Sequence, residues 1–402
     1  MRIAVVAGPD AGHAIPAIAL AERLSAAGDE VIVFTGTRWA DIRAARADGL
    51  PPVAIAELPG LDLVDSDGDD TDAGARLSVR AARMTTALTP LLEAQSVDLV
   101  VCDVITVCGG WSAQLLGLPW IELSPHPLYE PSRGLPPIGS GLAPGTGLGG
   151  RVRDTLMRAA TARSRRLGER QRAVARESVG LPGDDPGPGA RLVATLPALE
   201  VPRPDWPDNA HVVGPLLWEP TDLTTEPPAG DGPLVVVAPS TAHTGVADLL
   251  ETALEALDPE ATGRPLRLVV SALAEPSIPL PDWAIATTGR QDALLAAASV
   301  AICGGGHGML AKCLTAGVPV VTVPGGGDQW ELANRAQRAG VGVCVRPLTP
   351  ATLRSAVAQV LDVPTIRAAA RAAGASGDLT DPVAVCRAVV GAHRDDPAGD
   401  RR

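Results

Sequence analysis

Aromatic residues are scarce in this chain: its 402 residues include one tyrosine, one phenylalanine and seven tryptophans. Apolar residues nevertheless make up 46% of the sequence, so alanine, valine and leucine must build the cores. None of the six cysteines stands in a CxxC pair, which excludes a zinc-binding signature and a disulfide framework of the usual spacing. We therefore expect the cysteines to be small core residues in a reducing compartment.

A basic excess and a long apolar segment are missing as well. The 34 basic and 46 acidic residues give a net charge of −12. This charge argues against a general nucleic-acid-binding protein, because such proteins need a basic surface. No apolar run reaches the roughly 18 residues of a membrane span, and a strand pattern rather than a signal peptide stands at the N-terminus. The sequence predicts a cytoplasmic protein without an integral membrane segment.

Short apolar runs alternate with helical patterns along the chain, which is typical of parallel α/β sheets. The length suits two domains, and residues 215–233, with five prolines, are predicted to link them. Residues 1–214 and 234–391 are each predicted to form a Rossmann-like domain, and residues 392–402 a disordered tail. The expected fold is two doubly wound parallel sheets facing across a cleft.

The first loop argues against a dinucleotide-binding enzyme. Gly8 and Gly12 do not form the GxGxxG pattern of that class. The second predicted strand ends in Phe34-Thr35-Gly36, so no acidic residue is available there to hold a ribose. A dehydrogenase is therefore disfavoured.

A glycine-rich turn carries the clearest chemical pattern. The predicted strand Val300–Cys303 leads into Gly304–Gly308 and a predicted helix, Met309–Ala316. Such a turn suits an anion, because glycines let the backbone approach closely and the helix N-terminus offers free N–H groups. The next strand ends near Asp328 and Gln329, a carboxylate beside an amide that suits sugar hydroxyls. The alternative is a Rossmann-like turn whose glycines serve packing alone.

Three motifs span the chain: the N-terminal GPDAGHAIPAIALAERL, the central GLPPIGSGLAPG with PRPDWPDNAHVVGPL, and the C-terminal GGGHGMLAKCLTAGVPVVTVPGGGDQ. Together they resemble the inverting GT-B glycosyltransferases that use nucleotide-diphosphate sugars, most of all bacterial enzymes that glycosylate macrolides and other secondary metabolites. The resemblance implies an N-terminal acceptor domain and a C-terminal donor domain. It also implies metal-independent transfer, without a cofactor, from a UDP- or dTDP-sugar to a hydroxyl of a small, apolar metabolite or lipid.

The resemblance also gives roles to single residues. His13 matches the catalytic base, and Asp103 matches the acid that orients this histidine, an arrangement that suits removal of a hydroxyl proton. His126, in the long loop Pro125–Gly150, and Trp111 are predicted to contact the acceptor. The predicted donor-binding residues are Ser240, Thr241, Gly304, Gly305, Gly306, His307, Gly308, Asp328 and Gln329.

Four positions depart from the family pattern, and one of them is Ser240, which stands where the family has glycine before Thr241. Gly304 stands where the family usually has histidine, Met309 where it has serine or threonine, and Lys312 where some members carry an acid. Backbone N–H groups, Thr241 and His307 would then hold the diphosphate. These departures leave open a catalytically degenerate GT-B protein that binds a nucleotide sugar or another small molecule without turnover. A nucleotide-sugar epimerase is disfavoured, because the sequence shows no cluster of acidic residues near basic residues that could bind a phosphate.

Two strongly charged stretches are predicted to be solvated. The acidic run Asp62–Asp72 contains Asp65-Ser66-Asp67, a DxD like that of metal-dependent glycosyltransferases of another fold, but no strand leads into it. Arg151–Ser178 is predicted to be a helix with nine arginines, three acids and a thin apolar face. The alternative for this helix is a surface for an anionic membrane or for the acceptor, which allows a weak peripheral membrane contact.

Overall fold

The computed structural model describes residues 1–45, 49, 51–61, 73–240, 245–273, 276, 278–375 and 377–395. The acidic run at residues 62–72 and Thr241, both singled out above, lie outside these residues. Among the described helices, none is long and apolar enough to cross a membrane.

The first sheet is formed by seven parallel strands of the N-terminal half. They are β1 Arg2–Val6, β2 Glu30–Thr35, β3 Val53–Glu57, β4 Leu99–Asp103, β5 Trp120–Ser124, β6 Ala190–Val193 and β7 Ala210–Val212. Their order is β3-β2-β1-β4-β5-β6-β7. The helices are α1 Ala11–Ala26, α2 Arg38–Ala44, α3 Ala73–Gln95, α4 Cys108–Leu115 and α5 Gly147–Ser178. The central strands β1 and β4 are almost fully buried aliphatic runs, as expected for strands covered on both faces.

The second sheet repeats this arrangement with six parallel strands. They are β8 Leu234–Ala238, β9 Arg267–Ser271, β10 Ala284–Thr287, β11 Val300–Cys303, β12 Val320–Thr322 and β13 Gly342–Cys344, in the order β10-β9-β8-β11-β12-β13. The helices are α6 Leu249–Leu257, α7 Pro259–Thr262, α8 Gln291–Ala297, α9 His307–Thr315, α10 Gln329–Arg338, α11 Pro350–Asp362, α12 Pro364–Ala375 and α13 Pro382–Asp395. The predicted fold class, with two doubly wound parallel sheets, is confirmed. In both sheets the strand order reverses beside the first strand, where open α/β sheets bind their ligands.

The last helix corrects the predicted domain boundary. The side chains of Val383, Cys386 and Val390 in α13 join the apolar core of the first sheet, not that of the second. The guanidinium group of Arg387 also donates a hydrogen bond to the carbonyl of Ala27. The second domain therefore does not extend to residue 391. Residues 392–395, predicted to begin the disordered tail, complete this helix, which ends at Asp395.

Helix α10 of the second domain is held by a loop of the first. The indole N–H of Trp330 donates to the carbonyl of Ser140 at 3.2 Å, and the backbone N–H of Gly141 donates to Glu331 at 2.9 Å. Arg338 donates to the carbonyl of Gly141 at 2.7 Å. Gly141 has a φ of +69°, and a Cβ there would lie 2.4 Å from Trp330 Nε1, so this close approach requires glycine. The start of α10, directly after residue 328, is thereby fixed against the first domain.

Candidate functional site

His13 and Asp103 form a hydrogen-bonded pair where β1 and β4 end. These two strands are parallel neighbours, so the residues that follow them meet at one edge of the sheet. His13 Nδ1 lies 2.8 Å from Asp103 Oδ1. The other carboxylate oxygen of Asp103, a buried residue, accepts hydrogen bonds from Thr106 Oγ1 at 3.0 Å and Ile105 N at 3.3 Å. This carboxylate favours a proton on Nδ1 of His13, which leaves Nε2 available to accept one.

The charge of Asp103 controls the protonation of His13. Burial opposes a charge on this imidazole, but the hydrogen bond and the charge of Asp103, together with the charges of Asp10 and Asp328, outweigh burial. The pKa of His13 is therefore raised above its usual 6.5. A higher pKa makes the imidazole a stronger proton acceptor near neutral pH, as a general base requires.

A cavity of about 970 Å³ reaches Asp103, whereas His13 is not among the residues of its wall. Its wall includes Asp103 and the two residues predicted to contact the acceptor, His126 and Trp111. Trp111 is almost fully buried and lies in a small apolar cluster next to the guanidinium group of Arg176, whose Cζ is 5.8 Å from the ring centroid. This tryptophan therefore contributes to the cavity wall from a fixed position.

His126 is fixed by its neighbours in the loop after β5. Its Nδ1 lies 2.8 Å from the carbonyl of Pro127 and 3.1 Å from Ser124 Oγ. The imidazole stacks on the ring of Tyr129, with 4.2 Å between centroids and 20° between planes. Burial lowers the pKa of His126, which favours the neutral ring, and Nδ1 donates to the Pro127 carbonyl because that oxygen can only accept.

The glycine turn between β11 and α9 has the shape expected for an anion-binding loop. Gly305 has a φ of +85°, which only glycine adopts readily. At Gly306 and Gly308 a Cβ would meet no atom within 4 Å, so both glycines border open space. The helix starts at His307, two residues before the predicted start at Met309. Its free N–H groups therefore lie within the glycine segment.

The space beside Gly304 is occupied by side chains of two neighbouring loops of the second domain. A Cβ at Gly304 would lie 2.9 Å from Gln329 Oε1 and 3.4 Å from Ser240 Cβ. Gln329 is buried; its Nε2 donates to Ser240 Oγ at 3.0 Å, and its Oε1 accepts from Gly325 N at 2.9 Å. Both ends of this amide, predicted to hold the donor sugar, thus form hydrogen bonds within the protein, one in its own loop and one to the loop after β8. Asp328, the other member of the predicted sugar pair, is only partly buried.

His307 and Lys312 offer no free positive charge to a diphosphate. His307 Nε2 lies 2.9 Å from Thr195 Oγ1 of the first domain, and burial lowers the pKa of this histidine to about 3. The sequence predicted donor binding by His307, whereas its neutral ring instead contacts the other domain. Lys312 Nζ pairs with Glu219 at 2.7 Å and donates to Gln291 Oε1 at 2.9 Å. The N-terminus of α9 is left as the main positive feature of the turn.

Several residues of the site carry no recognisable sequence signal. Thr106 and Glu219 are positioned by the fold, and no motif marks either of them. Tyr129 is the single tyrosine of the chain and stands in a long loop, which could have indicated a special position. Within the described residues, no group of three or more histidine, cysteine, aspartate or glutamate side chains could hold a metal ion.

Comparison with known proteins identifies a matching family and several similar proteins. Residues 288–386, which contain the glycine turn and α10, match the family described as "Erythromycin biosynthesis protein CIII-like, C-terminal domain". The 4'-demethylrebeccamycin synthase of Lentzea aerocolonigenes is 30% identical over 406 residues, covering 91% of this chain and 93% of that protein. A PGL/p-HBAD biosynthesis rhamnosyltransferase of Mycobacterium bovis (strain BCG / Pasteur 1173P2) is 33% identical over 213 residues, covering 46% of this chain and 42% of that protein.

Solved structures share the complete architecture. The glycosyltransferase of kitacinnamycin has a TM-score of 0.70 at 22% identity, covering 99% of this chain and 97% of that one. The Streptomyces sp. SF2575 glycosyltransferase SsfS6, complexed with thymidine diphosphate, has a TM-score of 0.63 at 22% identity, covering 97% and 99%. At this level of identity the similarity establishes the common fold.

Proposed function

Because the chain belongs to the nucleotide-sugar glycosyltransferases of the GT-B fold, we propose that it glycosylates a hydroxyl of a small acceptor of secondary metabolism. Membership in this family favours turnover over the binding-only alternative that the sequence left open. One observation carries the assignment of the reacting groups: His13 is hydrogen-bonded to Asp103, which lines the cavity, and Tyr129 of the same cavity wall donates a hydrogen bond to Asp328. A base for the acceptor and a carboxylate for the donor sugar thus lie in one cleft.

In the proposed reaction, His13 Nε2 takes the proton of the acceptor hydroxyl. The hydroxyl oxygen of the acceptor attacks the anomeric carbon of the donor at the same time. The bond from that carbon to the diphosphate oxygen breaks, and its electron pair leaves with the nucleotide diphosphate. Attack opposite to the leaving group inverts the configuration. Asp103 acts as a positioning residue, because it holds Nδ1–H of His13 and stabilises the imidazolium that forms.

We further propose that the transfer proceeds without a metal ion or cofactor. The leaving diphosphate gains negative charge, which the N-terminus of α9 and the backbone N–H groups of the turn at Gly305–Gly308 are placed to stabilise. Ser240, bonded to Gln329 beside this turn, would face the same group. The thymidine diphosphate complex of SsfS6 makes a dTDP-sugar the first donor to test, followed by a UDP-sugar.

The cavity supports a multi-ring acceptor. Its volume of about 970 Å³ lies near the upper end of the roughly 300–1,000 Å³ typical of small-molecule sites. Apolar side chains such as Leu58, Met84 and Leu128 dominate its inner walls, so an apolar scaffold with one reactive hydroxyl would fit. We place this reaction in the cytoplasm, as six free cysteines suit a reducing compartment.

The direct test incubates the purified protein with dTDP-glucose or UDP-glucose and a panel of macrolide and other secondary-metabolite aglycones. Glycosylated product detected by mass spectrometry, together with matching release of nucleotide diphosphate and full activity in EDTA, would support the proposal. His13→Ala serves as the control for transfer catalysed by the site. A folded protein that binds a sugar nucleotide but glycosylates no acceptor would argue for the binding-only alternative.

A further inference from the structure

Helix α5 has an outer face that no other part of the described chain covers. Leu148, Val152 and Leu156 are spaced four residues apart and therefore lie on the same side of the helix. Their exposed fractions are 83%, 56% and 65%, and Leu167 and Val174 further along are also exposed. Single exposed apolar residues are ordinary, but a row of five on one helix marks a surface that contacts something else.

Arginines share this outer face. Arg163 follows Leu156 after seven residues, or two turns, and Arg166 and Arg170 continue the same row. All three are exposed, and in the part of the chain that the structure describes none has a carboxylate partner. A solvated helix supported by charge pairs was the prediction from sequence, yet α5 contains a single i,i+4 ion pair among described residues, Arg165–Glu169. The arginines therefore remain available to an anionic partner.

We propose that the outer face of α5, formed by Leu148, Val152, Leu156, Leu167, Val174, Arg163, Arg166 and Arg170, binds the surface of an anionic lipid bilayer. The aliphatic side chains would enter the boundary between headgroups and acyl chains, while the long arginine side chains reach the lipid phosphates. The charge of the helix fits this partner: α5 carries nine arginines and three acids in a chain whose net charge is −12. The rest of the protein would be repelled by the same lipids, so α5 also sets the orientation of docking.

Two other occupants fit this face less well. A second copy of the chain, bound through the same face, would place its row of arginines against the identical row of the first copy, and the like charges would repel. Nucleic acid would use the arginines but gain nothing from the exposed leucines and valines, and it would meet the net charge of −12 elsewhere. A bilayer with anionic headgroups uses both sets of side chains at once.

The opposite side of α5 belongs to the acceptor cavity. Arg165, Gly168 and Arg172 of this helix line its wall. Docking through the outer face would therefore hold the cavity beside the lipid surface, where an apolar acceptor is concentrated. This consequence rests on the proposed function, whereas the docking surface itself does not.

Vesicle binding tests the docking surface without donor or acceptor. The full-length protein is sedimented with phosphatidylcholine vesicles and with vesicles that also contain phosphatidylglycerol. We expect binding to the anionic vesicles, weak binding to phosphatidylcholine alone, and loss of binding at high salt, because ions screen the arginines. Removing three charges with Arg163→Gln/Arg166→Gln/Arg170→Gln should lower the affinity on the order of a hundredfold.

Matched variants separate this surface from general charge effects. Arg23→Gln/Arg371→Gln/Arg394→Gln removes the same number of exposed charges from α1, α12 and α13 and should keep binding near the wild-type level. Leu148→Gln/Leu156→Gln should weaken binding with all charges retained, and circular dichroism checks that each variant is folded. No sedimentation with anionic vesicles at low salt, or an equal loss in the control variant, would overturn the proposal. A concentration-dependent dimer abolished by Leu148→Gln/Leu156→Gln would also overturn it and assign the face to a second copy.

Discussion

The hydroxyl of Tyr129, in the loop after β5, donates a hydrogen bond to Oδ2 of Asp328 at the start of α10, with 3.2 Å between the oxygens. The ring of Tyr129 stacks on His126, and the Cζ of Arg335 lies 5.6 Å from its centroid. Burial and the neighbouring charge of Asp328 raise the pKa of Tyr129, so the phenol stays protonated and remains a donor. The single tyrosine of the chain thus joins the wall of the cavity proposed to hold the acceptor to the carboxylate proposed to hold the donor sugar.

Tyr129→Phe tests whether this contact positions Asp328. Without the phenol, one oxygen of the carboxylate loses its donor, and we expect dTDP-glucose to bind about tenfold more weakly. Binding of dTDP alone should not change, because it lacks the sugar that Asp328 would contact. Calorimetry with both ligands makes the comparison, and Asp328→Asn serves as the matched variant. An equal loss for dTDP and dTDP-glucose would show that Tyr129 joins the domains without positioning the carboxylate.

His13→Ala should abolish transfer while leaving donor binding intact. We expect kcat to fall by about two to four orders of magnitude, which is the usual contribution of a positioned general base. The donor affinity should stay within about twofold, since the proposed contact of His13 is with the acceptor. Steady-state kinetics with a confirmed acceptor measure the first quantity, and calorimetry with dTDP-glucose measures the second. Near-normal turnover in the folded variant would remove His13 from the mechanism.

The pH dependence of the rate should report the pKa of His13. The base must be neutral before the acceptor binds, so kcat/KM should rise with pH through a midpoint above 6.5, because Asp103 raises this pKa. In Asp103→Asn the charge is lost, so the midpoint should move to lower pH. The plateau should also fall, as Nδ1–H of His13 loses its carboxylate acceptor. An unchanged midpoint in the pH–rate profile of the variant would contradict the assignment.

Some features of this structure can be predicted from sequence because they depend on local patterns. Strand β11 begins and ends where its apolar run predicts, and His13 and Asp103 meet because each follows one of two neighbouring parallel strands. Features that depend on distant partners are not predictable in this way. The partner of His307 is Thr195, separated from it by 112 positions. The sequence of α13 likewise does not state which of the two sheets covers its buried side.

The buried pair of Lys312 and Glu219 predicts a stability effect that does not involve substrate. Each side chain is 9% exposed, and Glu219 also accepts a hydrogen bond from Gln291 N at 3.0 Å. Lys312→Met removes the ammonium group that pairs with the buried carboxylate of Glu219, so the free energy of unfolding should fall by about 3–5 kcal/mol. Lys312→Met/Glu219→Gln should recover part of this loss. Denaturant titration measures both variants, and a loss below about 1 kcal/mol in the single variant would mean that water reaches the pair.

Gly304 tests whether the missing histidine limits donor binding. The φ of Gly304 lies outside the left-handed region, so the backbone itself accepts a side chain. The obstacle is Gln329, whose Oε1 would lie 2.9 Å from the new Cβ and must leave its hydrogen bond with Gly325 N. Leaving that backbone N–H unpaired costs about 1–3 kcal/mol. We therefore expect Gly304→His to lower the melting temperature and to weaken dTDP binding, contrary to a simple gain of a phosphate contact.

A second variant separates the two effects of the histidine. Gln329→Ala lacks the side-chain hydrogen bonds to Gly325 and Ser240. Adding Gly304→His to this variant should therefore cost less stability than adding it to the wild type, so the effects of the two substitutions should not be additive. If an imidazole at position 304 can reach the diphosphate, dTDP should bind more tightly to the double variant than to Gln329→Ala alone. Calorimetry and thermal unfolding of all four proteins complete the cycle. Tighter dTDP binding by the single variant Gly304→His, with an unchanged melting temperature, would contradict this expectation. It would show that the side chain of Gln329 can move at little cost and that its hydrogen bonds to Gly325 and Ser240 do not stabilise the loops.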